Sequence, residues 1–208
     1  MSIKKPSGSR DNESVNFTDT TSEQKTLRAD ARRNRERVLE VATKVFATEG
    51  LAVPIDEIAG RAGVGIGTVY RHFPTKEALF EAVIVNFKQH LIEKAEEMLV
   101  QDDSNTAFYN FLSLMLREST VNRAIIAAIA SSAVNAHRPL TGISLDFQNT
   151  LEKLLKHAQE AKSVRDDIRV TDVTAILFGL ARSMEQYSDD PELPERILSV
   201  LCDGLRRR

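Results

Sequence analysis

The sequence holds one cysteine, Cys202, and no tryptophan. A single thiol excludes an intramolecular disulfide and any zinc site built from cysteines. No apolar run approaches the roughly 20 residues that a membrane-crossing helix needs. The opening stretch "MSIKKPSGSRDNESVNFTDTTSEQ" has two lysines but no apolar segment of the kind a secretory signal carries. The four histidines are scattered without metal-ligand spacing, so neither a metal nor a catalytic cofactor is expected. No alternating strand pattern and no internal repeat is present, and without strands no phosphate-binding loop can follow one. The acidic pairs Asp102–Asp103, Asp166–Asp167 and Asp189–Asp190 fall at helix boundaries, where capping and turn formation explain them. Catalysis is not expected, and the absences together indicate a cytoplasmic, all-α chain.

What is present fits that class. The 208 residues, 42% apolar and 28% charged, suffice for one large domain or two small ones with a proper core. The net charge of −2 divides unevenly. Residues 1–27 are neutral, with 4 basic and 4 acidic side chains, and polar enough to read as a disordered tail. Residues 28–90 carry 10 basic and 8 acidic groups, and residues 91–208 carry 14 and 18. "RADARRNRER" concentrates Arg28, Arg32, Arg33, Arg35 and Arg37, a group suited to phosphate oxygens. The same run can equally be a solvated helix start laced with Asp30 and Glu36.

Helical periodicity begins near Arg32, with Val38, Ala42, Val45 and Phe46 on one face and Gly50 placed to end the segment. Pro54 stands at the start of "IDEIAGRAG", where a first-turn proline is tolerated. Thr75 is placed as an N-cap for a long helix that runs to about Val100. Further helices are expected over 104–118, 121–135, 141–162, 171–187 and 194–206.

Between the first two of these segments lies the most informative stretch. Counted from Ile55, Ile58 is fourth, Ala59 fifth, Ala62 eighth, Gly63 ninth, Val64 tenth and Val69 fifteenth. Two short helices crossing steeply need apolar residues at the fourth, eighth, tenth and fifteenth places. They also need a small residue at the fifth and a turn-former at the ninth. All six conditions are met, which defines a helix-turn-helix. Gly65 and Gly67 then open the second helix, where missing side chains allow close approach to DNA and leave backbone N–H groups available.

"IDEIAGRAGVGIGTVYRHFPTKEALF", together with "VLEVATKVFATEG" before it, resembles the DNA-binding signature of the TetR family of transcriptional regulators, over about residues 34–80. Beyond residue 90 the resemblance is architectural, apart from "VRDDIRVTDV", which is similar to the segment before the last two helices of many members. The resemblance implies a disordered tail at 1–27, a DNA-binding domain at 28–80 and a helical effector-binding and dimerisation domain at 81–208. It implies that Gly65, Ile66, Gly67 and Thr68 face the major groove. It gives Tyr70, Arg71, His72 and Lys76 to phosphates or bases. Read from the residues themselves, the arginines at 28–37, Arg32 and Arg33 among them, can form an arm along the minor groove or backbone. Val53, Pro54 and Ile55 replace the hydroxyl residues that often contact phosphate in the family.

In the family, helices of the larger domain surround an effector pocket. Phe87, Leu91, Phe108, Phe111, Met115, Ile125, Phe147 and Leu151 supply large apolar side chains for a small apolar or amphipathic ligand, or simply a core. Val173, Ile176, Leu177, Leu180 and Met184 form one stripe, and Ile197 and Leu201 lie on another. Two such helices per subunit can pair across a two-fold axis in a homodimer, or face their own core. The expected function is a ligand-responsive repressor on a palindromic double-stranded DNA operator. An effector-dependent activator or a helical interaction module is the alternative.

Overall fold

The computed structural model describes residues 19–101, 103–122, 125–126, 142–186, 190 and 192–207. Among these, eight helices and no strand are present: α1 Asp19–Glu49, α2 Ile55–Ala62, α3 Ile66–His72, α4 Lys76–Gln101, α5 Ala107–Val121, α6 Ile143–Glu160, α7 Val170–Gln186 and α8 Leu193–Leu205. The all-α expectation holds. Helix α1 starts at Asp19, well before the boundary expected at residue 28, and α5 is displaced toward the C-terminus of its expected span. Most of the helix expected over 121–135 lies outside the described residues.

Each boundary in the N-terminal domain has a local cause. Gly50, at φ +76°, ends α1 in the left-handed region that glycine enters without strain. Pro54 stands one place ahead of the first turn, at the N-cap of α2, and its carbonyl accepts from the Ile58 N–H at 3.3 Å. Gly63, at φ +63°, closes α2 by donating its N–H to the Gly60 carbonyl at 3.1 Å, while Val64 N–H reaches the Ala59 carbonyl. Thr75 caps α4 as expected, its Oγ1 accepting from the Ala78 N–H at 3.1 Å.

The buried side chains of α1 (Val38, Leu39, Ala42, Val45, Phe46) meet Ile55, Ile58, Ala59 and Ala62 of α2, Val69 of α3 and Leu79 and Val83 of α4. Phe46 and Phe80 form an edge-to-face pair 5.5 Å apart. Arg61 ties the end of α1 to α2, with Nη2 donating to Glu49 Oε2 at 2.9 Å and to Glu57 Oε1 at 2.5 Å.

Helix α4 runs on into the larger domain, packing chiefly on α6 and also on α5. Half-buried Lys88 on α4 donates from Nζ to Ser144 Oγ on α6 at 2.8 Å, and burial pulls its pKa below the usual lysine range. The segment between α6 and α7 is fastened to the chain end. Arg165 N–H donates to the Leu205 carbonyl at 3.0 Å, Val164 and Arg206 form an isolated antiparallel bridge, and Tyr109 Oη donates to the Ser163 carbonyl at 3.0 Å.

A Cβ added at Gly63 meets nothing within 4 Å, so substitution there acts through the backbone alone. Gly63→Ala is expected to lower unfolding free energy by about 1–2 kcal/mol, the strain of a left-handed L-residue. Chemical denaturation followed by far-UV circular dichroism measures it.

Candidate nucleic-acid interface

Helix α3 has seven residues, too few to be stable alone in water. Val69, fully buried, holds its middle, and Val64 and Phe73 hold its two ends. That inward anchoring fixes which residues are left outside. Gly65, Ile66 and Gly67 at its start are exposed, with Ile66 at 39% and Tyr70, one turn on, at 45%. Thr68 and His72 are partly buried beside them. Two large apolar side chains therefore stand in solvent on the outer face of an otherwise well-packed domain.

The glycines at the start of α3 are not required by the fold. Gly65 has φ −59°, an ordinary backbone angle, and a Cβ at Gly65 or Gly67 would touch nothing within 4 Å. The Gly65 carbonyl accepts from Thr68 N–H at 2.8 Å and Val69 N–H at 3.2 Å, bonds that any residue could make. Glycine here keeps the surface of the helix start bare.

Arg71 differs from an outward-pointing arginine. Its Nε donates to the Gly67 carbonyl at 3.3 Å and its Nη2 to Thr68 Oγ1 at 3.0 Å, so the guanidinium lies back along α3. Lys76 is partly buried in the first turn of α4. A cation is disfavoured there by the helix dipole, whereas an anion at the same N-terminus is favoured. Lys76 thus stands at a helix start where the dipole favours an anion.

The arginines on α1 do not act as one group. Arg33 pairs with Asp30, and Arg32 lies 3.6 Å from Glu36 in a solvent-exposed contact. Arg35 sits over the Phe73 ring, 5.5 Å from its centroid, and so joins α1 to the C-cap of α3. The composition of "RADARRNRER" suggested phosphate binding but not this stacking. The clue available was the spacing from a residue on the α1 core face.

In the larger domain, Phe87, Leu91, Phe108, Phe111, Ile125 and Leu151 are buried in the packed core, with Met115 and Phe147 partly buried against it. Two grooves among the described residues of this domain are lined by other side chains. One, of about 360 Å³, lies between α4 and α5 and is bordered by charged and polar side chains with Met98. The other, of about 380 Å³, runs between α7 and α8 and is lined by Ile176, Leu180, Arg196, Ile197, Val200 and Leu201. Four of the expected interface residues meet there. Val173, at the base of α7, is only 2% exposed and packs in the core of its own subunit. Leu177 is also packed against that core, and the side chain of Met184 lies outside the described residues.

Comparison with known proteins decides the kind of molecule. A sequence profile of bacterial regulatory proteins of the tetR family matches residues 38–83, and one for the C-terminal domain of SbtR-like transcriptional regulators matches residues 103–207. The chain belongs to the TetR family. The structure of a TetR transcription regulatory protein from Mycobacterium vanbaalenii is 40% identical, with 87% of this chain and 99% of that one aligned at a TM-score of 0.66. A TetR transcriptional regulator from Streptomyces coelicolor is 34% identical over 83% of this chain and 98% of its own, with a TM-score of 0.64. The nucleoid occlusion factor SlmA of Idiomarina loihiensis is 28% identical over 166 residues, 77% of this chain and 83% of that protein. An HTH-type transcriptional regulator of Staphylococcus aureus is 44% identical over 59 residues, which span only 32% of its length.

The protein is therefore a DNA-binding transcriptional regulator, not an enzyme. TetR regulators typically respond to small-molecule effectors. Among the described residues, no cluster of His, Cys, Asp and Glu could hold a metal, and no helix is long and apolar enough to cross a membrane.

Proposed function

We propose that this TetR regulator is a ligand-responsive repressor, binding a palindromic operator as a homodimer and released by a small apolar or amphipathic effector. The observation that carries the reading is the bare start of α3. Gly65 and Gly67 have no structural need to be glycine, and Ile66 and Tyr70 are exposed beside them. A surface of this kind lets backbone N–H groups approach a duplex, Ile66 touch a thymine methyl and Tyr70 reach a phosphate. Thr68, Arg71 and His72 supply hydrogen-bond donors around this contact. Lys76 holds a phosphate at the N-terminus of α4, and Arg32 and Arg33 add charge above.

The apolar groove between α7 and α8 supports the dimer, because Val200 stands 74% exposed at its rim on an amphipathic helix. Two copies packed there give a four-helix interface, and one short recognition helix per subunit needs the second for affinity. Effector entry near Met115 and Phe147, the half-buried members of the aromatic cluster, would displace α4 and with it α3. An activator would use the same contacts with the opposite preference between states.

Selection of genomic fragments by the purified protein is expected to enrich one palindrome, lost in a Tyr70→Ala, Lys76→Ala double variant. No enrichment with wild type or an unchanged site in the variant would remove this reading. Gly67→Ala separates binding from folding: stability stays level or rises by up to about 1 kcal/mol, while operator affinity falls. Ile197→Asp is expected to give a folded monomer in sedimentation velocity, with weakened operator binding. Ligands found by thermal-shift screening are expected to lower operator affinity. Bound ligands that leave it unchanged would count against the switch.

A further inference from the structure

The carboxylates of α4, Glu77, Glu81, Glu93, Glu96 and Glu97, are all exposed, whereas Lys88 on the same helix is half-buried. Its neighbours three and four residues away, Ile84, Val85, Leu91 and Ile92, are all apolar, so no carboxylate of its own helix can reach it. Lys88 instead crosses to α6, where Nζ donates to Ser144 Oγ at 2.8 Å. Asp146, two residues on from Ser144, is exposed.

A hydroxyl is a weak sole partner for such a cation. An ammonium has three N–H donors, and Ser144 takes one of them. Burial lowers the Lys88 pKa, and among the described residues no opposite charge acts against it. Charges withdrawn from water are ordinarily paired, and where only packing is needed an apolar side chain of similar volume does as well or better. Packing alone therefore does not account for a lysine at this place.

The surroundings say what would complete it. One turn along α6 from Ser144 is half-buried Phe147, whose ring centroid lies 6.3 Å from that of Phe111 on α5. Met115, also half-buried, follows Phe111 by one turn of α5. A single cation thus ends a run of aromatic and thioether side chains contributed by α6 and α5. One unsatisfied positive charge beside adaptable apolar groups suits a molecule with one anionic end and an apolar body.

We propose that Lys88 and Ser144 form the anion-recognising end of a ligand site, and that the molecule it takes is an amphipathic carboxylic acid. Its carboxylate meets Lys88 Nζ and Ser144 Oγ, and its apolar part packs on Phe147 and Met115. This deepens the ligand-responsive reading and rests on the ligand site which that reading requires. Since Lys88 belongs to α4 and Ser144 to α6, a carboxylate entering between them replaces their direct bond at the contact of the two helices.

The test compares octanoate and phenylbutyrate with octanol, phenylbutanol and octylamine by isothermal titration calorimetry, on wild type, Lys88→Met, Lys88→Arg and Ser144→Ala. Wild type is expected to bind each acid at least about tenfold more tightly than the matching alcohol, the factor carried by a hydrogen bond to a charged group, and octylamine more weakly still. Lys88→Met should lose that preference for acids while keeping its affinity for the alcohols, and Lys88→Arg should retain most of it. Ser144→Ala should weaken the acids by less than Lys88→Met does. Thermal unfolding of Lys88→Met is expected at or above the wild-type temperature. Acids and alcohols bound equally by wild type, or no acid bound at all, would overturn the proposal. So would acid binding that survives Lys88→Met, or a Lys88→Met variant that unfolds earlier and weakens every probe alike, the mark of a purely structural lysine. If neutral ligands nevertheless lower operator affinity, the ligand-responsive reading stands without it. An acid held through Lys88 that leaves operator affinity unchanged would support the site and count against the switch.

Discussion

The outer face of α3 depends on its inner one. A helix of seven residues has no stability of its own, so its position is set by Val69 in the core and by the left-handed turn at Gly63. Those two constraints fix both the crossing with α2 and the rotation of α3 about its axis. Once Val69 points inward, Ile66 and Tyr70 are at the surface and Gly65 and Gly67 leave the helix start uncovered. The exposed apolar groups are thus a consequence of the anchoring. Their solvation penalty is tolerable because the surrounding core is fully packed.

The second constraint is α4. Leu79 and Val83 belong to the core around α3, while Phe87, Leu91 and Ala95 belong to that of the larger domain, and all five lie on one helix. Packed interiors resist gradual deformation. Under the switch proposed above, a change in how α5 and α6 hold the far half of α4 would displace the helix as a rigid body, and Lys76 at its first turn with it. The Lys88–Ser144 hydrogen bond adds a polar connection between α4 and α6, maintained although burial disfavours the lysine's charge. The connection at the chain end, from Val164 to Arg206, keeps the base of α7 and the end of α8 together and so preserves the groove between them.

How much of this was legible in the sequence varied with the range of the interaction. The helix-turn-helix was read in full, because its constraints act within fifteen residues: Ile58, Ala59, Ala62, Val64 and Val69 are buried and Gly63 has positive φ. The Thr75 cap was equally local. The fate of long apolar stripes was not, since Val173 and Ile176 stand three residues apart on α7 and periodicity alone cannot say which meets its own core. Polar partners across the chain were also hidden. The spacing of Arg35 from Leu39 places it on the core face of α1 but does not name Phe73 as its partner, and nothing near Arg71 distinguishes a side chain aimed at a base from one folded back on Thr68. The early start of α1 escaped for another reason: residues 19–27 are polar, and composition alone does not separate a solvated helix from a disordered tail.

That solvated start shows how one helix can change its surface chemistry without a change of register. In α1 the 3–4 spacing is unbroken from Lys25 to Phe46, and only the chemistry of the stripe changes, between Arg35 and Leu39. Arg35 stands at that change, its guanidinium resting on Phe73. Because the apolar half fixes the rotation of the whole helix, the basic half inherits an orientation it could not hold alone. The core of the helix-turn-helix domain thereby aims charges that lie well outside it, and a substitution such as Leu39→Ala would loosen the direction of the stripe as well as the packing beneath it.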